Sequence, residues 1–416
     1  MIAARFHVLF VLIALAAATR AGRAQDWPQF RGPTGQGVSA ATGLPGEWSE
    51  SKNIIWKTAV AGSGWSSPVI AGGRVWVTTF VDKGSSLRAL AFDAETGKAL
   101  VDVEVFTIKG ADPINPKNSR ASPTPVVDGD RVYVHFGADG TAALTTAGEV
   151  VWKTRFSYSS QHGSGGSPVV VGDLLIVSCD GPDAAFLVAL DKVTGKQRWK
   201  TWKHRPWDQA YSTPLLITVG GRDEIVSVGA YHTAAYDPRT GKEIWGVNYP
   251  DGFSNVPRPV YGDGIVYVTT GFQQPSLVAI RADGAGDVTR THIAWTLARA
   301  APLTPSPLLL GEALYVVNDG GIAMCLNANT GAPAWVQRLP GTYSASPVFA
   351  DGRIYFLNED GVATVIAPGA EFGVLATNRL DGTTYASMAV SSGSFFIRTD
   401  RSLYRIGGGP PAPAWR

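Results

Sequence analysis

Apolar and polar residues alternate along most of the chain in runs of five or six, as in Arg74-Val75-Trp76-Val77-Thr78-Thr79, and glycine-rich turns separate the runs. Strict alternation marks half-buried β-strands. No 3.6-residue apolar period persists beyond the first two dozen residues, so the remainder is predicted to be essentially all β. Asp128-Gly129, Asp180-Gly181, Asp319-Gly320, Asp351-Gly352 and Asp360-Gly361 predict tight hairpins, because glycine accepts positive φ without a Cβ clash.

The runs recur in a fixed order. A small residue followed by proline and β-branched residues appears at Ser67-Pro68, Thr124-Pro125, Ser167-Pro168, Thr213-Pro214, Arg258-Pro259, Ser306-Pro307 and Ser346-Pro347, with Ser387-Met388 as an eighth copy lacking proline. The copies lie 57, 43, 46, 45, 48, 40 and 41 residues apart. That period suits one four-stranded propeller blade. The predicted fold is therefore an all-β, eight-bladed β-propeller of four-stranded antiparallel blades.

A second pattern, Ala-x-Asp-x-x-Thr-Gly-x-x-x-Trp, closes the units at Ala189 to Trp199 and Ala235 to Trp245, with looser copies from Cys325 to Trp335 and Ala91 to Val101 and a shorter one from Ala143 to Trp152. Its tryptophan predicts a large apolar plate wedged between neighbouring blades. The positions are Trp56, Val101, Trp152, Trp199, Trp245, Trp295, Trp335 and about Leu375. Trp56 precedes the first Ser-Pro copy, so Ile54-Ile55-Trp56-Lys57 is expected to supply the outermost strand of the last blade, whose inner strands come from about Ala389 to Ile406. Such closure joins the two ends of the chain.

Residues 1–24 hold an apolar stretch from Phe6 to Ala18, basic residues, no acid, and small residues before Gln25, which reads as a secretory signal. The expected organisation is a signal peptide over 1–24 and a single propeller over 25–416, delivered to the periplasm or secreted, with no membrane span after cleavage. Gly and Pro make about 18% of the 416 residues, which fits a turn-rich fold. Beyond residue 24, 33 basic side chains face 34 acidic ones, and no basic run exceeds two residues. Nucleic acid is excluded as an expected partner. The two cysteines, Cys179 and Cys325, are 146 positions apart, too isolated for a disulfide framework or a CxxC site, and two free thiols are expected. The six histidines show no HxH or HExxH spacing, so no metal site is predicted.

The Ala/Gly/Trp repeat resembles the tryptophan-docking repeat of pyrroloquinoline-quinone (PQQ) propellers, and the opening Asp26-Trp27-Pro28-Gln29-Phe30-Arg31-Gly32-Pro33 is similar to the start of secreted PQQ-like repeat proteins. The resemblance covers nearly the whole mature chain. It implies two kinds of relative: quinoprotein alcohol dehydrogenases, and the propeller lipoprotein of the outer-membrane β-barrel assembly machinery, which binds protein partners. The dehydrogenases it implies hold PQQ under a disulfide of adjacent cysteines, with Ca²⁺ bound by carboxylate and amide oxygens. No adjacent cysteines exist here, and the longest unit spacing leaves no room for large substrate loops.

In a propeller, the segments leading into the innermost strands converge on one rim near the axis. Trp65, Arg120, His162, Tyr211, Asn255, Arg258, Tyr343 and Tyr385 lie on those segments, and His232 lies on a turn between second and third strands. Aromatic and polar groups converging on one mouth predict a ligand or partner surface; alternatively they cap strand ends. The expectation is a monomeric, non-catalytic propeller, without cofactor, that binds an envelope protein or polymer through this rim. A PQQ- and Ca²⁺-dependent alcohol or sugar dehydrogenase and a ligand-free scaffold are the alternatives.

Overall fold

The structure is a computed structural model and describes residues 26–82, 85–108 and 114–408. The expected signal segment, residues 1–24, lies outside the described residues. Eight antiparallel sheets form the body. Blade one runs outward through Val69–Ala71, Arg74–Val81, Ser86–Asp93 and Ala99–Thr107. The innermost strands of blades two to eight are Val126–Asp128, Val169–Val171, Leu215–Val219, Val260–Gly262, Leu308–Leu310, Val348–Ala350 and Ala389–Ser391. In blade eight the outermost strand is Ile54–Ala59, paired antiparallel with Ser402–Gly407, so the ring is closed by the N-terminal strand as the repeat predicts. Gly286–Asp287 adds a short parallel fifth strand to blade four. Among the described residues the one helical element is a 3-10 turn, Gly137–Asp139, and no helix is long and apolar enough to cross a membrane.

The repeated residues are explained by what they touch. The Ser/Thr before each proline belongs to a buried belt in which a backbone N–H donates to the hydroxyl of the next blade. Ser67 donates to Thr124, Thr124 to Ser167, Ser167 to Thr213, Arg258 to Ser306, Ser306 to Ser346, Ser346 to Ser387 and Ser387 back to Ser67, all at 2.9–3.1 Å. At Arg258 the hydroxyl is missing. There Ser212 Oγ donates to the Pro257 carbonyl and Arg258 Nε to that of Pro214, which spans the gap.

The second pattern builds the outer seams. Asp191 Oδ1 accepts from the N–H groups of Val193 and Thr194 and from the Thr194 hydroxyl, and Asp93, Asp237 and Asn327 repeat this side-chain turn. The glycine that follows has positive φ. A Cβ on Gly97, Gly195, Gly241 or Gly331 would come within 2.5–2.7 Å of the ring of Trp56, Trp152, Trp199 or Trp295 from the preceding blade. Only glycine admits the plate. The indole N–H groups of Trp56, Trp152, Trp199, Trp295 and Trp335 each donate to a carbonyl of the next blade at 2.8–3.2 Å. Trp245 is different: fully buried, it donates to Glu224 Oε2 within its own blade. A β-bulge interrupts the ladder of the two outer strands at this level in every blade, which aims the side chain along the seam. The bulge also corrects one expectation. In blade seven the docking register falls on Ala376, opposite Val365, while Leu375 is exposed. Trp48 packs instead against the Tyr355–Phe395 pair where blades seven and eight meet.

Of the five Asp-Gly pairs, Asp351-Gly352 has positive φ at both residues, as a primed hairpin needs. Asp180-Gly181 does not; its carboxylate is buried in an ion pair with Lys203. Both cysteines are free and buried.

Candidate functional site

The two faces of the ring differ sharply. On the hairpin side, residues 27–38 fill the channel and pair with the inner edges of the blades. Trp27 exchanges backbone bonds with Ile70, the Val127 N–H donates to the Pro28 carbonyl, the Phe349 N–H to the Gly37 carbonyl, and the Tyr261 N–H to Gln36 Oε1. Gly35 and Gly37 lie against the Arg258 and Arg31 guanidiniums, where a Cβ would come within 2.3 and 2.6 Å. Arg31 donates to the carbonyls of Gln36 and Pro307, and Arg258 Nη1 to that of Phe30. This segment is thereby held inside the ring, with Trp27 and Arg31 almost fully buried. Arg258, expected at the rim, is therefore a buried anchor for this plug, and burial lowers its pKa to about 9.

The opposite face is the mouth. Trp65 and Tyr385 meet there with ring centroids 4.5 Å apart. Lys117, which the sequence reading did not single out, crosses from the connection between blades one and two to pair with Glu359 of blade seven at 2.8 Å. Glu359 also accepts from the hydroxyls of Thr342 and Ser344. Burial works to raise its carboxyl pKa, but Lys117 and the two hydroxyls outweigh that and hold it low. Tyr343, expected at the rim, is fully buried and donates to the Pro340 carbonyl.

His162 and Tyr211 are brought together as neighbours on successive blades. The Tyr211 hydroxyl lies against the His162 backbone, and burial, with Asp208 and Asp180 nearby, pushes the phenol pKa up. Asn118 Nδ2 donates to the His162 carbonyl. Arg120 is folded back, 4.0 Å from Asp139 and over the Phe80 ring. Asn255 is buried and fully engaged, donating to the Gly229 and Gly252 carbonyls and accepting from the Gly271 N–H. It is a strut for blades four and five. His232 leaves the mouth for the seam between blades three and four, where it stacks on His204 with centroids 4.2 Å apart, beside Glu243. Irregular spacing on two blades hid this convergence from the sequence reading, which predicted no metal site.

The mouth also carries an aromatic ridge that the repeat did not reveal. Trp202, 52% exposed, stacks on Trp207 at 5.2 Å; Phe253 lies 6.1 Å from both Tyr231 and Phe272, the latter 56% exposed. These residues occupy strand ends, lead-in segments and turns of blades three to five, all on the mouth face. Their signal was present only as aromatics outside the repeat pattern.

Two stretches of the chain, residues 38–178 and 284–401, match the family model of the outer membrane protein assembly factor BamB, and together they make more than half of it. The chain belongs to that family. A BamB of Burkholderia pseudomallei (strain K96243) is 27% identical over 283 residues, spanning 65% of this chain and 68% of its own length. The crystal structure of BamB from Moraxella catarrhalis aligns over 85% of this chain and 99% of its own, with TM-score 0.60 at 14% identity. A europium-containing methanol dehydrogenase aligns over 92% and 89%, with TM-score 0.68 at 11% identity. At such identities the two structures show the shared propeller fold alone.

The dehydrogenase alternative can be tested on the residues of this BamB-family mouth. A Ca²⁺ ion needs six to eight oxygen ligands. Asp319 is taken up by the N–H groups of Leu303 and Thr304 and the Thr304 hydroxyl, and Glu359 by Lys117 and two hydroxyls. The cysteines sit in blades three and six. This donor set does not fit a Ca²⁺-bound quinone.

Proposed function

We propose that the protein is a non-catalytic, extracytoplasmic propeller that captures an envelope protein on its mouth face. Membership of the BamB family supports a partner-binding role, and the observation that carries the reading is the aromatic ridge of Trp202, Trp207, Tyr231, Phe253 and Phe272. Exposed aromatic patches rimmed by polar groups mark protein contacts, and aromatic anchors dominate the energy of such contacts. The segment 27–38 bound on the hairpin side favours the mouth as the partner surface. Lys117, Glu359, Trp65 and Tyr385 form its more polar side.

Site-specific photo-crosslinking in the source cell envelope tests this. A photoreactive residue at position 272 or 202 is expected to give a discrete protein adduct, whereas one at Val336 or Leu100, exposed on outer strands, gives none. Adducts from the outer strands alone, or none from the mouth, would overturn the reading. Carbohydrate in place of protein in the mouth adduct would replace the protein partner with a polymer.

A further inference from the structure

The seam between blades three and four carries a second constellation, independent of the mouth reading. His204 follows the outermost strand of blade three, His232 opens the third strand of blade four (His232–Tyr236), and Glu243 opens its fourth (Glu243–Asn248). His204 Nε2 lies 2.9 Å and His232 Nε2 3.7 Å from the same carboxylate oxygen, Glu243 Oε2, and one ligand atom from each residue falls within 4.8 Å of the others. Two ligands of a tetrahedral ion with bonds of about 2.0–2.1 Å are separated by roughly 3.3 Å. The observed spacings straddle that value, and the His204 side chain is about half exposed.

The decisive detail is at His232, which is 6% exposed. Its Nδ1 lies 2.8 Å from Asn248 Oδ1. An amide oxygen only accepts, so Nδ1 donates, and in the neutral ring Nε2 carries the lone pair. That Nε2 is buried, has no hydrogen-bond partner, and is aimed at Glu243 and His204. An imidazole fixed by a donor bond at one nitrogen and presenting a bare lone pair at the other is the usual arrangement of a metal-bound histidine. Asn248 is itself held, its backbone N–H donating to Thr289 Oγ1. Gly246 makes room: a Cβ there would lie 2.5 Å from the His232 ring.

The geometry points to a transition-metal site of His204, His232 and Glu243 that takes Zn²⁺ or a similar late first-row divalent ion and clips blade three to blade four. Two imidazoles and one carboxylate suit such ions and give far too few oxygens for Ca²⁺. Three protein ligands leave one coordination position open. The two histidines border a cleft with room for about one water, lined also by Lys203, Trp207 and Asp208.

The test uses the mature protein with any affinity tag removed, titrated with Zn²⁺ against a competing chelator and followed by calorimetry and thermal melting. One Zn²⁺ per chain and a rise in melting temperature with Zn²⁺ but not with Ca²⁺ are expected. His204→Ala, at an exposed position, should melt like the parent without metal and bind Zn²⁺ at least about tenfold more weakly. Asn248→Ala should lose about 10- to 100-fold through the orientation of His232, and Glu243→Gln, which keeps the shape, should lose the metal-dependent rise. Absence of Zn²⁺ binding by the parent, or equal affinity in the parent and His204→Ala, overturns the site.

Discussion

Replacing Ser346 with alanine removes one link of the inner belt and little else. Ser346 is 3% exposed, and its Oγ accepts from the Ser306 N–H at 3.0 Å. Ser306 is 1% exposed, so no water reaches the orphaned donor without opening the ring. Leaving a buried N–H unsatisfied costs about 1–3 kcal/mol, more than the net value of the bond itself. Alanine removes no apolar packing, so the whole loss is polar. Threonine keeps the oxygen, and the belt already holds threonine at positions 124 and 213, so Ser346→Thr should stay within about 0.5 kcal/mol of the parent, as changes that break no such feature do. Ser167→Ala, across the ring, removes the acceptor of the Thr124 N–H and should add its own cost independently. Guanidinium denaturation midpoints of the three single variants and the double alanine variant measure these differences. Ser346→Ala indistinguishable from the parent, or threonine as damaging as alanine, would refute the belt as a stabilising device.

The two kinds of docking tryptophan should separate on substitution by phenylalanine, which keeps most of the plate but loses the N–H. Trp199→Phe frees only the Pro238 carbonyl and should cost about 1 kcal/mol, whereas Trp245→Phe removes the donor to Oε2 of the fully buried Glu224, whose Oε1 stays paired with Arg222, and should cost about 2–3 kcal/mol; equal denaturation midpoints would contradict this. Acid should destabilise the fold through His135, whose pKa burial lowers from 6.5 to about 4. The folded ring stays neutral while the unfolded one takes a proton, so stability is full above about pH 6.5, falls by roughly 3 kcal/mol as pH drops towards 4, and levels off below; His135→Gln should flatten that part of the profile, and an unchanged slope would exclude it.

Whatever repeats eight times was legible in the sequence. The blade number, the Ile54–Ala59 closure and the run of docking tryptophans follow from one period, because each blade must meet its neighbour in the same way. Leu375 was misplaced by one residue because the bulge at that level lengthens the strand without changing its composition. Features that occur once escaped. The plug depends on Arg31 and Arg258 meeting across more than 220 positions, and the His204, His232 and Glu243 group on two blades whose local sequences are unrelated. Lys117 carries no signal in the sequence; only the closed ring brings it to Glu359.

Ring closure leaves a problem that the once-only features solve. Joining the blades satisfies the belt and the outer seams, yet every innermost strand still presents one edge to the channel, and backbone groups there need partners. Three fully buried arginines answer part of that demand: Arg31 and Arg258 donate to carbonyls of Gln36, Pro307, Pro214 and Phe30, and Arg398 to those of Thr78 and Ser66. Burial lowers each guanidinium pKa to about 9, and an arginine at that value is still charged at neutral pH. Residues 27–38 supply further partners by adding backbone bonds along the edges of blades one, two and seven. Residues 27–38 are thus part of the fold, set against the inner strands on the hairpin side. On the proposed reading, the surface left for a partner is the mouth face, where Trp202 and Phe272 stand exposed.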